Sequence, residues 1–184
     1  MSYEINISHT NAILRAVAFA VKAHGDQRRV CTPEPYVMHP IRVAQKVSNF
    51  GGSLEQVQAA LLHDVLEDTD VTPIQLRHQF HDGVTSLVEA LTDKITPEEY
   101  PDINRATRKR LELELLQAQP AEVHLIKACD LIDNLTDVEN LDAAFVNLYV
   151  TECAATAAAL VHLNNVIATR LNATIEAAKK RLGL

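Results

Sequence analysis

One segment of the sequence ends in a cluster of ionisable side chains. Residues 59–69 read AALLHDVLEDT, an apolar run that leads into His63, Asp64, Glu67 and Asp68. Residues four apart on a helix share a face, so His63 is expected above Glu67 and Asp64 above Asp68. Burying unpaired carboxylates costs on the order of several kcal/mol, and a divalent cation commonly offsets that cost. The pattern predicts that one face binds a metal while its neighbour transfers protons.

Two ligands do not complete a metal site, and the sequence offers two more. His39 stands next to Pro40 at the predicted start of a helix, and Asp130 lies within the segment LIKACDLIDN of residues 125–134. Asn134 follows Asp130 by four residues, so these two side chains face the same way. Imidazole and carboxylate ligands suit manganese, iron, zinc or magnesium, and no thiolate is required.

The elements that must position these residues are predicted to be helices. Hydrophobic residues make up 47% of the chain and aromatic residues 4%, and apolar residues recur at helical spacing, which favours an all-α fold over a β-sandwich. Periodicity and capping signals predict helices over residues 10–23, 40–50, 54–66, 73–80, 84–91, 102–119 and 121–137, and an Ala-rich stretch of one or two helices over 142–182. The length of 184 residues fits a single domain, residues 1–184.

The charge balance limits the class of partner. A net charge of −7 argues against a nucleic-acid platform or an anionic membrane surface as the main partner, so an anionic substrate must be bound by local positive charge. Such charge is found between Gly25 and Pro40, where Arg28 and Arg29 lie in a segment whose prolines prevent regular structure. This basic loop is either a binding element or an ordinary solvated loop.

Cysteine usage and the apolar runs indicate a cytoplasmic protein. Cys31, Cys129 and Cys153 are widely spaced and form no C-x-x-C pair, as expected in a reducing compartment. The first eight residues carry no signal-peptide pattern, and no apolar run approaches the ~18 residues that a membrane span needs. The Ala-rich C-terminal stretch has two interpretations, a core element or the surface of a homodimer.

These blocks resemble the hydrolase domain of the RelA/SpoT family, and more closely its free-standing small alarmone hydrolases, which are HD-superfamily phosphohydrolases. The resemblance runs from about residue 16 to residue 138, in an order and spacing specific to the family. It is carried by Ala23-His24, Gln27-Arg28-Arg29, Pro35-Tyr36, His39-Pro40, residues 59–69, Leu91-Thr92-Asp93 and Lys127-Ala128-Cys129-Asp130. We therefore expect an all-α HD-domain bundle of about eight to ten helices.

The resemblance also implies an activity. It implies hydrolysis of the 3′-pyrophosphate of guanosine tetra- or pentaphosphate, with release of pyrophosphate and GDP or GTP. It implies one manganese ion with four ligands, His39, His63, Asp64 and Asp130. It further implies that Glu67 and Asp68 serve the attacking water. A bound cation lowers the pKa of its water and offsets charge on the phosphoryl oxygens, and a nearby carboxylate can then accept the proton.

The resemblance assigns the nucleotide to the basic loop and to one helix. Arg28 and Arg29 match a basic pair next to the substrate, and Asn134 matches an asparagine that faces the nucleotide. The second basic position is usually lysine, and Leu131 stands where many relatives carry a basic residue, as does Thr136. These departures leave the predicted metal site intact and bear on nucleotide affinity and base preference.

Three further interpretations stand beside this one. An HD hydrolase for another phosphorylated nucleotide fits the departures in the substrate region. A non-catalytic sensor that binds metal and nucleotide is a second alternative, which the retention of Glu67 and Asp68 opposes. The third interpretation assigns no function to the cluster of His63, Asp64, Glu67 and Asp68 and treats it as a charged helix terminus with ordinary capping.

Overall fold

The computed structural model describes residues 7–30, 32–136, 138 and 141–184, and their regular structure is helical. In chain order the helices are α1 (Ile7–His24), α2 (Met38–Asn49), α3 (Leu54–Leu62), α4 (Val65–Asp68), α5 (Pro73–Gln79), α6 (Asp82–Leu91), α7 (Arg105–Gln117), α8 (Ala121–Asn134), α9 (Ala143–Ala159) and α10 (Asn165–Leu182). The all-α prediction is confirmed. Cys31 and Asp137 lie outside the described residues, whereas Cys129 and Cys153 are buried free thiols.

Helix α3 is the centre of the core. It packs against α1, α2, α6 and α8, and every residue from Gln56 to Leu62 is buried. A helix that has neighbours on all sides needs no polar face, which agrees with the continuous apolar run of residues 59–62 at its C-terminal end. The predicted capping box begins it: the backbone N–H of Gln56 donates to Ser53 Oγ, and the backbone N–H of Ser53 donates to Gln56 Oε1.

Two helix bounds differ from the prediction in ways that matter for the site. Helix α2 begins at Met38, so His39 and Pro40 both lie in its first turn, where proline is tolerated because the N–H it lacks has no helical partner. Helix α3 ends at Leu62 instead of continuing to residue 66, and the one-turn helix α4 follows. The break places His63 and Asp64 in a tight turn between the two.

The C-terminal Ala-rich stretch forms two helices. Helix α10 starts after the N-cap Asn164 and buries Ile167, Leu171 and Ile175 in the core. Arg181 Nη2 donates to the carbonyl oxygen of Leu135 at 2.7 Å, which satisfies an acceptor just beyond the end of α8. The core interpretation of this stretch is therefore correct for α10, and the homodimer remains a prediction. In the part of the chain that the structure describes, no helix combines the length and apolar character of a membrane span.

A buried histidine joins three parts of the bundle. His124 on α8 is 0% exposed, its Nε2–H donates to the carbonyl oxygen of Leu116 at 2.8 Å, and its Nδ1 accepts the backbone N–H of His162 at 3.1 Å. One nitrogen donates and the other accepts, so the ring must be neutral. Burial accordingly lowers the pKa of His124.

This histidine makes stability depend on pH. The unfolded chain takes up a proton at His124 below about pH 6.5, whereas the folded chain takes it up only at lower pH. We expect the free energy of unfolding to fall as the pH drops through this range, and expect His124→Gln to remove that component. Urea unfolding at pH 8 and pH 5 measures the free energy of unfolding, with the exposed His78→Gln as control. If wild type and His124→Gln differed by the same free energy at both pH values, the assignment of His124 would be contradicted.

Candidate metal centre

Two buried imidazoles from different elements meet at one point. His39 comes from the first turn of α2 and His63 from the turn after α3, and their ring centroids are 5.2 Å apart. The Nδ1–H of His63 donates to the carbonyl oxygen of Ala60 at 2.9 Å, which leaves Nε2 as the nitrogen with the free lone pair. His63 Nε2 is buried without a hydrogen bond. A buried nitrogen in this state is available as a metal ligand.

Two carboxylates complete a set of four donor atoms around this point, which we call the ring: it consists of His39, His63, Asp64 and Asp130. Asp130 Oδ1 lies 3.1 Å from His39 Nε2 and 3.7 Å from His63 Nε2. Asp64 Oδ2 lies 3.1 Å from His63 Nε2 and 3.7 Å from His39 Nε2. Metal–ligand bonds of about 2.0–2.2 Å in tetrahedral or octahedral geometry place neighbouring ligands roughly 3.0–3.5 Å apart. The spacing and the donor types therefore fit a divalent cation.

The turn between α3 and α4 explains how neighbouring residues can both reach this point. Successive side chains on a regular helix point about 100° apart. Here the backbone N–H of Glu67 bonds to the carbonyl oxygen of Asp64 at 3.2 Å, a three-residue step tighter than the α-helical one. The prediction of one continuous helix through residue 66 was wrong at this point, and the tightened turn accompanies the convergence of His63 and Asp64.

The electrostatics of the ring favour a positive charge at its centre. Burial lowers the pKa of His63, but the negative charges of Asp64 and Asp130 outweigh burial and raise it to about 9. Burial raises the pKa of Asp130, yet Lys127, His39 and His63 together hold it well below its usual range. Where carboxylates stabilise a proton on an imidazole this strongly, a divalent cation can take the place of that proton.

A layer of polar side chains orients the carboxylates. The Tyr36 hydroxyl donates to Asp64 Oδ2 at 2.8 Å, and Lys127 Nζ lies 3.0 Å from Asp130 Oδ2. Burial and the charge of Asp64 raise the pKa of Tyr36, so its hydroxyl keeps its proton and remains a donor. Sequence analysis gave neither Tyr36 nor Lys127 a role. Both lie in blocks that carry the family resemblance, and the spacing of three residues between Lys127 and Asp130 places these two on one helical face.

Glu67 and Asp68 lie on α4, one turn beyond the ring. Glu67 Oε1 accepts the backbone N–H of Asp93 at 2.7 Å. Partial desolvation by neighbouring groups and the negative charge of Asp93 raise the pKa of Glu67 to about 7, although the side chain keeps an exposed surface. The Asp68 carboxylate is close enough to the Tyr36 hydroxyl to contribute to its raised pKa. A carboxyl group that titrates near pH 7 is suited to accept a proton.

A cavity of about 440 Å³ opens beside the ring, with Glu67, Asp130 and Asn134 in its wall. A volume of this size is typical of pockets that hold small organic ligands. Its wall also contains three lysines: Lys94, Lys109 and Lys127. The same wall contains five carboxylates, Glu67, Asp93, Glu112, Asp130 and Glu152, so the cavity presents charges of both signs. Lys109 lies 3.6 Å from Asp93 and Lys127 lies 3.0 Å from Asp130.

The two arginines of the basic loop differ in position. Arg29 Nη2 donates to Asn134 Oδ1 at 3.0 Å, and Asn134 Nδ2 donates to Asp130 Oδ1 at 2.7 Å. This chain of hydrogen bonds ties the loop to the ring. Arg28 Nη1 instead donates to the carbonyl oxygen of Pro33 at 3.1 Å, within the exposed loop. The structure brings Arg29 and Asn134 to the ring and does not bring Arg28 there.

The Tyr36 hydroxyl provides a test of this geometry. Tyr36→Phe removes the donor that orients Asp64, and loss of such a partner typically weakens metal affinity by about 10- to 100-fold. We expect this loss in calorimetric titration with Mn²⁺, with the fold unchanged by circular dichroism. Tyr100→Phe, at an exposed tyrosine, is the control. Equal affinities in the two variants would show that the hydroxyl does not support a metal ligand.

Comparison with known proteins agrees with the all-α fold. The family model described as HD domain matches residues 16–163. The chain is 40% identical over 127 residues to the guanosine-3′,5′-bis(diphosphate) 3′-pyrophosphohydrolase of Aquifex aeolicus, covering 69% of this chain and 18% of that longer protein. It is 38% identical over 135 residues to the human enzyme of this name, MESH1, covering 71% of this chain and 72% of MESH1.

A solved structure extends the similarity over nearly the whole chain. A metazoan SpoT orthologue that hydrolyses ppGpp superposes with a TM-score of 0.80 at 25% identity, covering 96% of this chain and 98% of the other. The family model and the relatives that this chain matches over most of their length lead to one assignment. The chain belongs to the HD domain family and, within it, to the RelA/SpoT-type hydrolases.

Proposed function

We propose that the chain is a metal-dependent phosphohydrolase that removes the 3′-pyrophosphate of guanosine tetra- or pentaphosphate and releases pyrophosphate and GDP or GTP. The observation that carries the proposal is the ring beside the cavity, in which each of the two imidazole Nε2 atoms lies 3.1–3.7 Å from an oxygen of both carboxylates. The activity of the relatives supports the choice of substrate. We further propose that residues 1–184 act as one domain, with a small-molecule nucleotide as the partner.

The four ring residues are the proposed ligands of one divalent cation: His39, His63, Asp64 and Asp130. When bound, the cation would supply Lewis-acid chemistry, lowering the pKa of a water molecule and offsetting charge on the phosphoryl oxygens. Manganese is the proposed metal because the relatives of the RelA/SpoT type that the sequence resembles use it, and nitrogen with oxygen ligands suits it. Three of the donor atoms, on His39, His63 and Asp130, lie within 4.8 Å of one another.

Glu67 is the proposed general base. Its Oε1 is held by the backbone N–H of Asp93 at 2.7 Å, which fixes the carboxylate and leaves the second oxygen to accept a proton from the attacking water. Asp68, on the same short helix and next to Tyr36, is proposed to assist in moving that proton. The hydroxyl of Tyr36 keeps its own proton and would orient Asp64 without taking part in the transfer.

The proposed substrate contacts lie at the cavity. Arg29 would supply positive charge at the end of its hydrogen-bond chain through Asn134, and the guanidinium suits phosphate oxygens because of its planar donors. Arg28 is exposed on the same loop, so its proposed contact with substrate requires its side chain to leave the Pro33 carbonyl. The phosphate groups of the substrate carry negative charge, which Arg28 and Arg29 would neutralise.

A second candidate is hydrolysis of another phosphorylated nucleotide. Leu131 lies in the cavity wall, where many relatives carry a basic residue, and this apolar contact favours a substrate with less charge at that point. The sensor alternative is disfavoured because Glu67 is present, held in place, and has its pKa raised towards the range of a general base.

Replacing the proposed base separates catalysis from binding. Glu67→Gln keeps the size of the side chain and removes proton transfer, so we expect kcat to fall by about 10²- to 10⁴-fold. Manganese affinity should stay within a few-fold of wild type. Pyrophosphate release from guanosine tetraphosphate measures kcat, with Glu176→Gln on α10 as the matched control. Full activity in Glu67→Gln would exclude this residue as the base.

The raised pKa of Glu67 predicts the direction of the pH dependence. The carboxyl group accepts a proton only when ionised, so kcat/KM should rise with pH and level off above the pKa. A bound cation favours the ionised form, which sets the midpoint at or below about 7. The profile of kcat/KM between pH 5 and pH 8.5 measures this midpoint. A rate that fell as the pH rose to 7 would contradict the assignment of Glu67.

The experiment that tests the function itself combines metal removal with a nucleotide panel. We expect chelation to abolish pyrophosphate release from guanosine tetraphosphate and added Mn²⁺ to restore it. Turnover of another nucleotide in place of guanosine tetraphosphate would support the second candidate. Tight binding of guanosine tetraphosphate without turnover by the metal-loaded protein would contradict the enzymatic function.

A further inference from the structure

Asp133 is a buried carboxylate that contacts His39 on the side facing away from the ring, and it is not one of the four proposed metal ligands. It follows Asp130 by three residues on α8 and is 1% exposed. Its Oδ2 lies 2.8 Å from His39 Nδ1, the imidazole nitrogen opposite the one that faces the ring. His39 Nε2 is correspondingly directed at Asp130 and Asp64. One imidazole therefore lies between Asp133 on one side and the proposed cation site on the other.

Two cations on α2 hold the Asp133 carboxylate. Arg42 Nε donates to Asp133 Oδ1 at 3.0 Å and to Oδ2 at 3.2 Å, and Lys46 Nζ donates to Oδ1 at 2.7 Å. His39, Arg42 and Lys46 recur at intervals of three and four residues, so they share the face of α2 that meets α8. A carboxylate with three donors from one helix has little freedom to turn.

The same arginine reaches the basic loop. Arg42 Nη1 donates to both carboxylate oxygens of Glu34, at 2.8 and 2.7 Å. The carbonyl oxygen of Glu34 in turn accepts the backbone N–H of Arg29 at 3.2 Å. A continuous series of polar contacts therefore runs from Arg29 in the loop through Glu34, Arg42 and Asp133 to His39.

We propose that Asp133 is a positioning residue for the metal centre, which accepts the Nδ1–H of His39 and so presents the Nε2 lone pair to the cation. Ligating histidines commonly donate their second N–H to a carboxylate, which fixes the tautomer and ring orientation and makes the ligand more basic. Asp133 is suited to this role because Arg42 and Lys46 offset its charge in a buried position. The inference rests on the proposed function only in requiring that the ring binds a cation.

The test uses Mn²⁺ alone as the probe and measures its Kd by calorimetry on the full chain. Asp133→Asn keeps the shape of the side chain and removes its charge, and we expect Mn²⁺ affinity to fall by about 10- to 100-fold. At saturating Mn²⁺, kcat for the proposed substrate should return to within a few-fold of wild type, because Asp133 is buried and does not line the cavity. Glu176→Gln, which also removes one carboxylate from an ion pair, should leave both quantities unchanged.

Two further measurements separate positioning from a merely structural role. In a His39→Ala background, Asp133→Asn should cause no additional loss of Mn²⁺ affinity, because the two residues act through one ligand. In the protein loaded with diamagnetic Zn²⁺, the Nδ1 proton of His39 should give a downfield NMR resonance that moves upfield in Asp133→Asn, because a neutral amide oxygen is a weaker acceptor than a carboxylate. An additive loss, or a resonance at the same position in the variant, would overturn the proposal.

The outcomes also separate this inference from the proposed function. If wild type binds Mn²⁺ and Asp133→Asn binds it equally well, the role of Asp133 is wrong and the proposed function stands. If wild type binds no divalent cation, both fail. Should Asp133→Asn not fold, Arg42→Gln retains the carboxylate and one cationic partner; it should weaken Mn²⁺ binding measurably, and unchanged affinity would overturn the proposal.

Discussion

The structure depends on how buried negative charge is balanced where α2, α8 and the turn after α3 meet. Asp130 is buried and Asp64 largely so, and both point at the same pair of imidazole nitrogens. Carboxylates in such surroundings are costly unless a positive charge lies between them. A single divalent cation bound at this point would satisfy the donors that three separate segments bring together.

The ring residues lie on or directly beside helices that pack against one another: His39 on α2, Asp130 on α8, and His63 and Asp64 in the turn that follows α3. Helix α3 is enclosed by its neighbours, and α2 and α8 lie against it and against each other. Rigid elements hold donor atoms to the tolerance that a metal requires better than loops do. The parts that face the cavity from outside are different in character: α7 buries none of its residues, and the basic loop is held by polar contacts.

Local pattern predicted the helices and the four ring residues but not the contacts between them. The capping box at Ser53 and the two helices of the Ala-rich stretch follow from spacing and residue type, which act over a few positions. Asp133 escaped notice because its partner His39 is 94 residues away, and no local rule links them. The break after Leu62 is confined to His63 and Asp64, and helical structure resumes at Val65, so the helical pattern continues on both sides and no local signal marks the turn.

Crystals grown with Mn²⁺ and measured at the manganese absorption edge would test the central claim most directly. The account predicts one anomalous peak bonded to Nε2 of His39, Nε2 of His63 and carboxylate oxygens of Asp64 and Asp130, at distances of about 2.0–2.3 Å. A peak at a different set of side chains, or crystals saturated with Mn²⁺ that show no anomalous peak at these four side chains, would contradict the proposed metal site.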